Sequence, residues 1–127
     1  MTASIRVVLD ASAIVAYAAS SIAVGEILVE VGDEGARVGL PVFCLAEAYR
    51  RVPDHDVAAV GLLAGHPAVV VVDTDPGEWM PLAQAARDLG RVDTAAALLL
   101  TIGADGHLMT SDPDAYGDWK DLPIIPI

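Results

Sequence analysis

Residues 5–17 read IRVVLDASAIVAY, and this stretch decides the fold class that we predict for the chain. Residues 7–9 form a short run rich in β-branched side chains with no polar face, which is typical of a strand buried on both sides in a parallel sheet. The run stops at Asp10, and an apolar run with helical character begins at Ser12. A carboxylate and a hydroxyl therefore stand where a strand ends and a helix begins, and open α/β sheets bind ligands at such positions. Capping of the helix by Asp10 or Ser12 is the alternative explanation of the same pattern.

The composition predicts one domain, residues 1–127, with an aliphatic core. Hydrophobic residues make up 54% of the chain and aromatic residues only 5%, while the charged residues lie scattered between apolar segments, which argues against disorder. The single cysteine, Cys44, cannot form a disulfide within the chain, and its apolar setting indicates a core position. Because no stretch approaches the ~20 apolar residues that span a bilayer, we expect a soluble, cytoplasmic protein without a membrane partner.

Short apolar runs alternate with helical patterns along the rest of the chain. This alternation predicts right-handed β-α-β units and therefore an α/β fold of three layers, with a central parallel sheet between helices. Pro41 indicates either a sheet edge or a strand-to-helix transition, and residues 68–72 give the clearest signal of a buried strand. The predicted strands after the first are residues 38–43, 68–72, 107–110 and 124–127, and the predicted helices are 24–31, a segment from Leu45, 57–64, one that starts at Asp75-Pro76 and ends before Gly90, and 95–102.

Acidic residues recur where predicted strands meet helices. Since the carboxyl ends of parallel strands gather at one edge of a sheet, we expect these carboxylates to converge, and their mutual repulsion favours a bound cation. Clusters of carboxylates suit hard cations such as Mg²⁺ or Mn²⁺, and such a site can activate water for phosphodiester hydrolysis. The acids are Asp10, Glu47, Asp93, Asp112 and Asp114, with the hydroxyls of Ser12, Thr110 and Ser111 beside them.

Each acid also has a structural explanation. Asp93 and Asp112 suit helix N-caps, and Glu47 suits an acid in the first turn of a helix, where the helix dipole favours it. The basic groupings, Arg50-Arg51 and Arg87 with Arg91, are interpreted as solvated helix faces, the alternative being sites that hold phosphate.

The charge balance works against a protein that binds nucleic acid through its whole surface. Seven basic residues face eighteen acidic ones, for a formal net charge of −11 at pH 7. Such a chain repels polyanions at long range unless metal ions or a basic partner change the local field, and it favours association with a basic protein.

Four segments in order resemble the PIN-domain family, and in particular the small VapC-type ribonuclease toxins of bacterial toxin–antitoxin pairs. The resemblance covers nearly the whole chain up to Asp114. One departure is Ser111, where family members often carry a basic residue. The segments are VVLDASAIVAY (7–17), PVFCLAEAYR (41–50), VDTAAALLL (92–100) and HLMTSDPDAY (107–116).

The resemblance implies a three-layer α/β/α fold and Mg²⁺- or Mn²⁺-dependent hydrolysis of RNA phosphodiesters. It further implies a homodimer that is inhibited by a cognate antitoxin protein with a basic tail. In this family Asp10, Asp93 and Asp112 would hold the metal, and Glu47 would orient or deprotonate the attacking water. The complete set of implied catalytic acids is Asp10, Glu47, Asp93 and Asp112, with Asp114, Ser12 and Thr110 as auxiliary residues.

Two alternatives to a ribonuclease follow from the same residues. The poor basic surface leaves room for a catalytically weak PIN-fold module that acts mainly by binding a protein partner. A phospho-acceptor signalling domain is disfavoured, because it would pair two acids at the first strand end and place a lysine after a late strand. Here Asp10 stands alone and Lys120 is the only lysine.

Overall fold

The computed structural model describes residues 4–119 and 121–127, and within them the chain forms five strands and six α-helices. The strands are β1 (Ile5–Leu9), β2 (Arg37–Pro41), β3 (Val69–Val72), β4 (His107–Thr110) and β5 (Ile124–Pro126). The α-helices are α1 (Ala11–Ala18), α2 (Ile22–Asp33), α3 (Val42–Arg51), α4 (Val57–Ala64), α5 (Trp79–Leu89) and α6 (Val92–Ala104). Short 3₁₀ turns lie at Asp54–Asp56, Pro76–Glu78 and Pro113–Tyr116.

The five strands form one parallel sheet in the order β3-β2-β1-β4-β5, which confirms the predicted three-layer α/β architecture. The chain adds β2 and β3 on one side of β1 and then crosses back to add β4 and β5 on the other side. Right-handed crossovers therefore put α5 and α6 on the face opposite α1 to α4. The strand order reverses between β1 and β4, so the crevice at their carboxyl ends is the switch point of the sheet.

β1 is the central strand, and its sequence explains its position. Val8 and Leu9 are fully buried, and they belong to one aliphatic core with Ile14 of α1 and Leu98 of α6. A strand without a polar face fits only between two helical layers, because each face must lose contact with water. Burial of β1 thus fixes the position of Asp10, the residue that follows it.

β3 is less buried than predicted. It is an edge strand with a single neighbour, β2, and Val70 and Val71 keep 37% and 39% of their surface exposed. A run of four valines indicates a preference for extended backbone. The burial of their side chains depends instead on which elements pack against the strand. The prediction that residues 68–72 are the clearest buried strand is therefore wrong in burial, though right in secondary structure.

Pro41 marks the transition from strand to helix. It is the last residue of β2 and the N-cap of α3, where a missing backbone N–H costs no hydrogen bond. β2 itself lies between β1 and β3, so the edge position is excluded for it. α3 starts at Val42 rather than Leu45, which places Glu47 in the second turn of the helix and not the first.

Two boundaries of α5 follow their sequence signals, whereas α2 is longer than the predicted 24–31 and α6 begins differently. Asp75 caps the turn that begins at Pro76 by accepting a hydrogen bond from the Gly77 N–H at 2.9 Å, and Gly90 ends α5 with a left-handed φ of 85°. α6, however, has Arg91 at its N-cap, so the prediction of Asp93 as that cap is wrong.

Across residues 4–119 and 121–127, none of the single helices has the length and apolar character needed to cross a bilayer. α1 and α2 reach that length only together, and their axes are bent by 106° where they meet.

Gly106 carries a steric constraint that a stability measurement can test. A Cβ atom at this position would lie 2.8 Å from the carbonyl oxygen of Arg6 in β1, and that backbone cannot yield without disturbing the central strand. We expect Gly106→Ala to lower the free energy of unfolding by about 1–3 kcal/mol in urea denaturation. Gly61, inside α4 with open space around it, is the matched control, and Gly61→Ala should raise stability by about 0.5–1 kcal/mol. Equal effects at the two positions would contradict this account.

Candidate functional site

Asp10 is buried at the switch point, with only 6% of its surface exposed. Its Oδ1 accepts hydrogen bonds from the Ser12 hydroxyl at 2.6 Å and from the Ala13 N–H at 3.0 Å, the second of which caps α1. Its Oδ2 accepts a hydrogen bond from the Tyr116 hydroxyl at 2.7 Å. The capping role raised by the sequence is therefore real, and it uses one of the two oxygens, so it does not exclude a chemical role.

A chain of hydroxyls joins β1 to β4 beside Asp10. The oxygen of Ser12 lies 3.1 Å from the Thr110 hydroxyl and accepts a hydrogen bond from the Ser111 N–H at 3.0 Å. Because the Ser12 proton is directed to Asp10, Thr110 is the donor in the Ser12–Thr110 pair. Thr110 in turn accepts from the Asp112 N–H at 3.0 Å. The predicted auxiliary residues Ser12 and Thr110 thus link Asp10 to the backbone of Asp112.

Tyr116 is a site residue that the sequence reasoning missed. It ends the 3₁₀ turn after β4 and is 1% exposed. Burial, together with the charge of Asp10, raises the pKa of its hydroxyl, so the group remains a donor at every physiological pH. A buried tyrosine needs a polar partner. A tyrosine four residues after Asp112, in a chain with few aromatic residues, is the sequence signal that could have identified this partner of the site.

Asp93 is the second residue of α6 and has 9% of its surface exposed. Its Oδ1 accepts a hydrogen bond from Arg91 Nε at 2.9 Å, and its Oδ2 lies 3.8 Å from Arg51 Nη2. Its carbonyl oxygen accepts a hydrogen bond from the Cys44 thiol at 3.1 Å. Burial, and then the charges of Asp10 and Asp93, raise the pKa of this thiol. The core position predicted for Cys44 is confirmed, since its side chain is fully buried.

Glu47 contacts three arginines. It accepts hydrogen bonds from Arg50 Nε at 2.6 and 3.1 Å, and its Oε1 lies 3.2 Å from Arg91 Nη2 and 3.8 Å from Arg51 Nε. The hydrogen bond from Arg50 is the main cause that lowers the pKa of Glu47, with the charges of the three arginines adding to it. Glu47 is thus held in its charged form.

Arg50, Arg51 and Arg91, here called the arginine cluster, are half of the six arginines in the chain. The sequence interpretation placed them on solvated helix faces. Their side chains are exposed to solvent in part, and they also form ion pairs with two of the candidate catalytic acids, in which Arg91 bridges Glu47 and Asp93. Only a close approach of the start of α6 to the exposed face of α3 creates this arrangement, and no local pattern reports it.

Asp112 and Asp114 lie on the surface after β4. Asp112 precedes the 3₁₀ turn without capping it through its side chain, contrary to the capping alternative. Within the described part of the chain, neither side chain takes part in a hydrogen bond or an ion pair. Both carboxylates are therefore open to solvent on the side of the site nearest to Thr110.

The structure thus brings the predicted residues together in two groups. Asp10, Ser12 and Thr110 form one hydrogen-bonded group, and Glu47 and Asp93 are joined through Arg91. Over residues 4–119 and 121–127, no three His, Cys, Asp or Glu side chains are arranged to hold a metal ion as they stand. Guanidinium groups balance the charge of Glu47 and Asp93.

The donor chemistry nevertheless fits a hard cation. Asp10 is a buried carboxylate whose donors are all neutral, and it belongs to none of the ion pairs formed by the described residues. Its hydrogen bonds hold the carboxylate in place without cancelling its charge, and carboxylate oxygens are the ligands that Mg²⁺ and Mn²⁺ prefer.

The acid sensitivity of folding tests the ion pairs of Glu47. Because the pKa of Glu47 is lower in the folded chain than its ordinary value of 4.5, its contribution to stability is complete above about pH 4.5 and is lost as the pH falls through the folded pKa. Glu47→Gln should therefore lose less stability than the unsubstituted chain between neutral pH and pH ~3, as measured by urea denaturation. Glu26→Gln, an exposed change on α2, should keep the full acid sensitivity. Parallel curves for Glu47→Gln and the unsubstituted chain would contradict the prediction.

Comparisons with known proteins bear on the fold. No protein-family model matches the chain, and no curated protein matches it. Among solved structures, the chain is similar to the crystal structure of PAE2754 from Pyrobaculum aerophilum, with a TM-score of 0.63 and 16% sequence identity. The match covers 94% of this chain and 83% of that one. At this identity the likeness establishes the three-layer α/β fold, and it says nothing of the activity.

Proposed function

We propose that the protein is a metal-dependent endoribonuclease that hydrolyses RNA phosphodiester bonds, of the PIN-domain, VapC-like type. One observation carries the proposal: Asp10 is a buried carboxylate at the switch point of the sheet, held by three neutral donors and without a cationic partner among the described residues. The backbone carbonyl of Asp93 accepts a hydrogen bond from the buried Cys44 thiol, and Arg91 bridges the Asp93 carboxylate to Glu47. This set of acids suits Mg²⁺ or Mn²⁺.

In this proposal Asp10, Asp93 and Asp112 would hold the metal, which would supply Lewis acidity toward the phosphate and lower the pKa of water. The chain's own contributions are distinct. Glu47, kept ionised by its arginines, orients the attacking water by accepting a hydrogen bond from it. Ser12, with Thr110 behind it, fixes the orientation of Asp10, and Asp114 adds negative charge at the rim.

The same proposal extends to partners and location. A net charge of −11 favours an inhibitor with a basic tail, which is the kind of cognate antitoxin that the family resemblance implies. A homodimer and a cytoplasmic location, where RNA substrates are found, belong to the proposal as well.

Cleavage of a structured RNA with purified protein tests the site. We expect cleavage with Mg²⁺ or Mn²⁺ and none with EDTA. Asp10→Asn and Asp93→Asn should each lower the rate by about 100-fold or more, since each removes a proposed metal ligand. Asp88→Asn, an exposed change near the end of α5 with the same loss of charge, should cleave like the unsubstituted chain.

Because Asp10 caps α1, circular dichroism must show that Asp10→Asn is folded before its rate is interpreted. Cleavage that survives in EDTA, or in folded Asp10→Asn, would refute the assignment.

A second candidate function is a PIN-fold module that acts mainly by binding a protein partner. One observation favours it: Glu47 and Asp93 already have guanidinium partners, which a metal ion would have to displace. Both candidates have the same fold, so a measurement of metal affinity is needed to distinguish the binding module from the nuclease.

Thermal melting with Mn²⁺ measures that affinity. If the site binds Mn²⁺ only when folded, stability should rise by about 2.7 kcal/mol when free Mn²⁺ is 100 times the dissociation constant. Asp112→Asn should reduce this rise, and Asp105→Asn, an exposed change beyond the end of α6, should leave it unchanged. No rise in the unsubstituted protein would favour the binding module.

A further inference from the structure

We infer that Arg91, assisted by Arg51, binds the phosphate of the RNA substrate, and that it exchanges a carboxylate partner, Glu47 or Asp93, for this phosphate. The inference rests on the proposed function and assigns substrate-binding residues to it, which the sequence alone left unknown.

The guanidinium group of Arg91 lies between two candidate acids and contacts both of them. Its Nε donates to Asp93 at 2.9 Å, while its Nη2 lies 3.2 Å from Glu47. A guanidinium has the planar geometry that matches either a carboxylate or a phosphate, so the same donors can serve both partners in turn. Phosphate at this point would lie directly beside the acids that are proposed to act on it.

The arginines form the outer layer of the site and the acids the inner one. The side chains of Arg91 and Arg51 are 43% and 32% exposed, whereas those of Glu47 and Asp93 are each 12% exposed. An anion that arrives from solvent therefore meets guanidinium groups first.

The distribution of charge also favours this edge of the sheet. Arg6 and Arg37 lie at the beginnings of β1 and β2, at the opposite edge, where Arg6 pairs with Glu34 and Arg37 donates to the Pro67 carbonyl. In a chain of net charge −11, the arginine cluster thus supplies the guanidinium groups that a phosphate can reach at the proposed site, once they exchange their carboxylate partners.

An exposed aromatic ring continues the same helix face. Phe43 lies four residues before Glu47 on α3, one helical turn away, and is 40% exposed. Unpaired bases stack on such rings, so the cluster with Phe43 favours single-stranded RNA over a duplex.

Loss of Arg91 should change metal binding and RNA binding in opposite directions. While Arg91 pairs with Asp93 and Glu47, it competes with a metal ion for their oxygens. Removing it should therefore strengthen metal binding and weaken RNA binding. A loss of folded structure would weaken both, which makes the pair of measurements specific for the proposed exchange.

The test uses Arg91→Gln and two binding assays that do not depend on turnover. A short, fluorescein-labelled, single-stranded RNA is titrated in Ca²⁺ and followed by anisotropy, and a gel checks that it stays intact. We expect about tenfold weaker binding and a salt slope smaller by about 0.7, the loss of one phosphate contact. Calorimetric titration with Mn²⁺ should show about fivefold tighter binding or more.

Arg6→Gln is the matched control, because it removes one arginine from a carboxylate pair at the opposite sheet edge. It should leave both affinities unchanged. Arg91→Lys, which keeps the charge but not the fork, should restore the salt slope with only part of the affinity; it also serves as the second variant if Arg91→Gln does not fold.

Failure of this inference is distinguishable from failure of the proposed function. RNA affinity and salt slope that are the same in Arg91→Gln and the unsubstituted protein would overturn the inference, even if metal-dependent cleavage is found. Conversely, Arg91-dependent RNA binding without cleavage in any metal would refute the nuclease and leave Arg91 as an RNA-binding residue.

Discussion

The position of Asp10 is the constraint on which the rest of the site depends. The central strand must end where its apolar residues end, and the carboxylate that follows is held by three donors from two parts of the chain. Ser12 and Ala13 belong to the first helix, where Ser12 also contacts Thr110 at the end of β4, and Tyr116 belongs to the turn beyond that strand. The hydrogen bonds of one buried side chain therefore hold together the two strands between which the sheet changes direction.

Negative charge at this edge is accommodated in two different ways. Asp10 is stabilised by neutral dipoles, which keep the carboxylate in place without cancelling its charge. Glu47 and Asp93 are stabilised by guanidinium groups, which do cancel it. Neutral donors leave a charge available to an incoming cation, whereas an arginine must first move. The site thus combines one acid that is ready for a cation with two that become available only after an exchange of partners.

The sequence predicted what depends on local pattern and missed what depends on distant contacts. The valine and leucine run of β1, its abrupt end at Asp10 and the Asp75-Pro76 helix start are local, and they agree with the structure. The burial of β3 was predicted wrongly, because its exposed valines reflect an edge position that only the strand order determines. The bond from Tyr116 to Asp10 joins residues 106 positions apart, and the bridge formed by Arg91 depends on how α6 meets α3. Neither leaves a periodic signal.

The capping bond of Asp10 has a consequence for how such a chain diverges. A side chain that fastens a helix as well as serving a site is retained by selection for folding even after the chemistry has been abandoned. In a diverged protein, a carboxylate at the position of Asp10 is therefore weaker evidence of activity than the acids that have no structural role. Asp112 and Asp114 make no such structural bonds within the described residues, so mutation can remove them freely once activity is no longer selected. Among diverged copies, loss of the exposed acids would therefore indicate loss of the activity, whereas the buried Asp10 would be kept as long as the fold is kept.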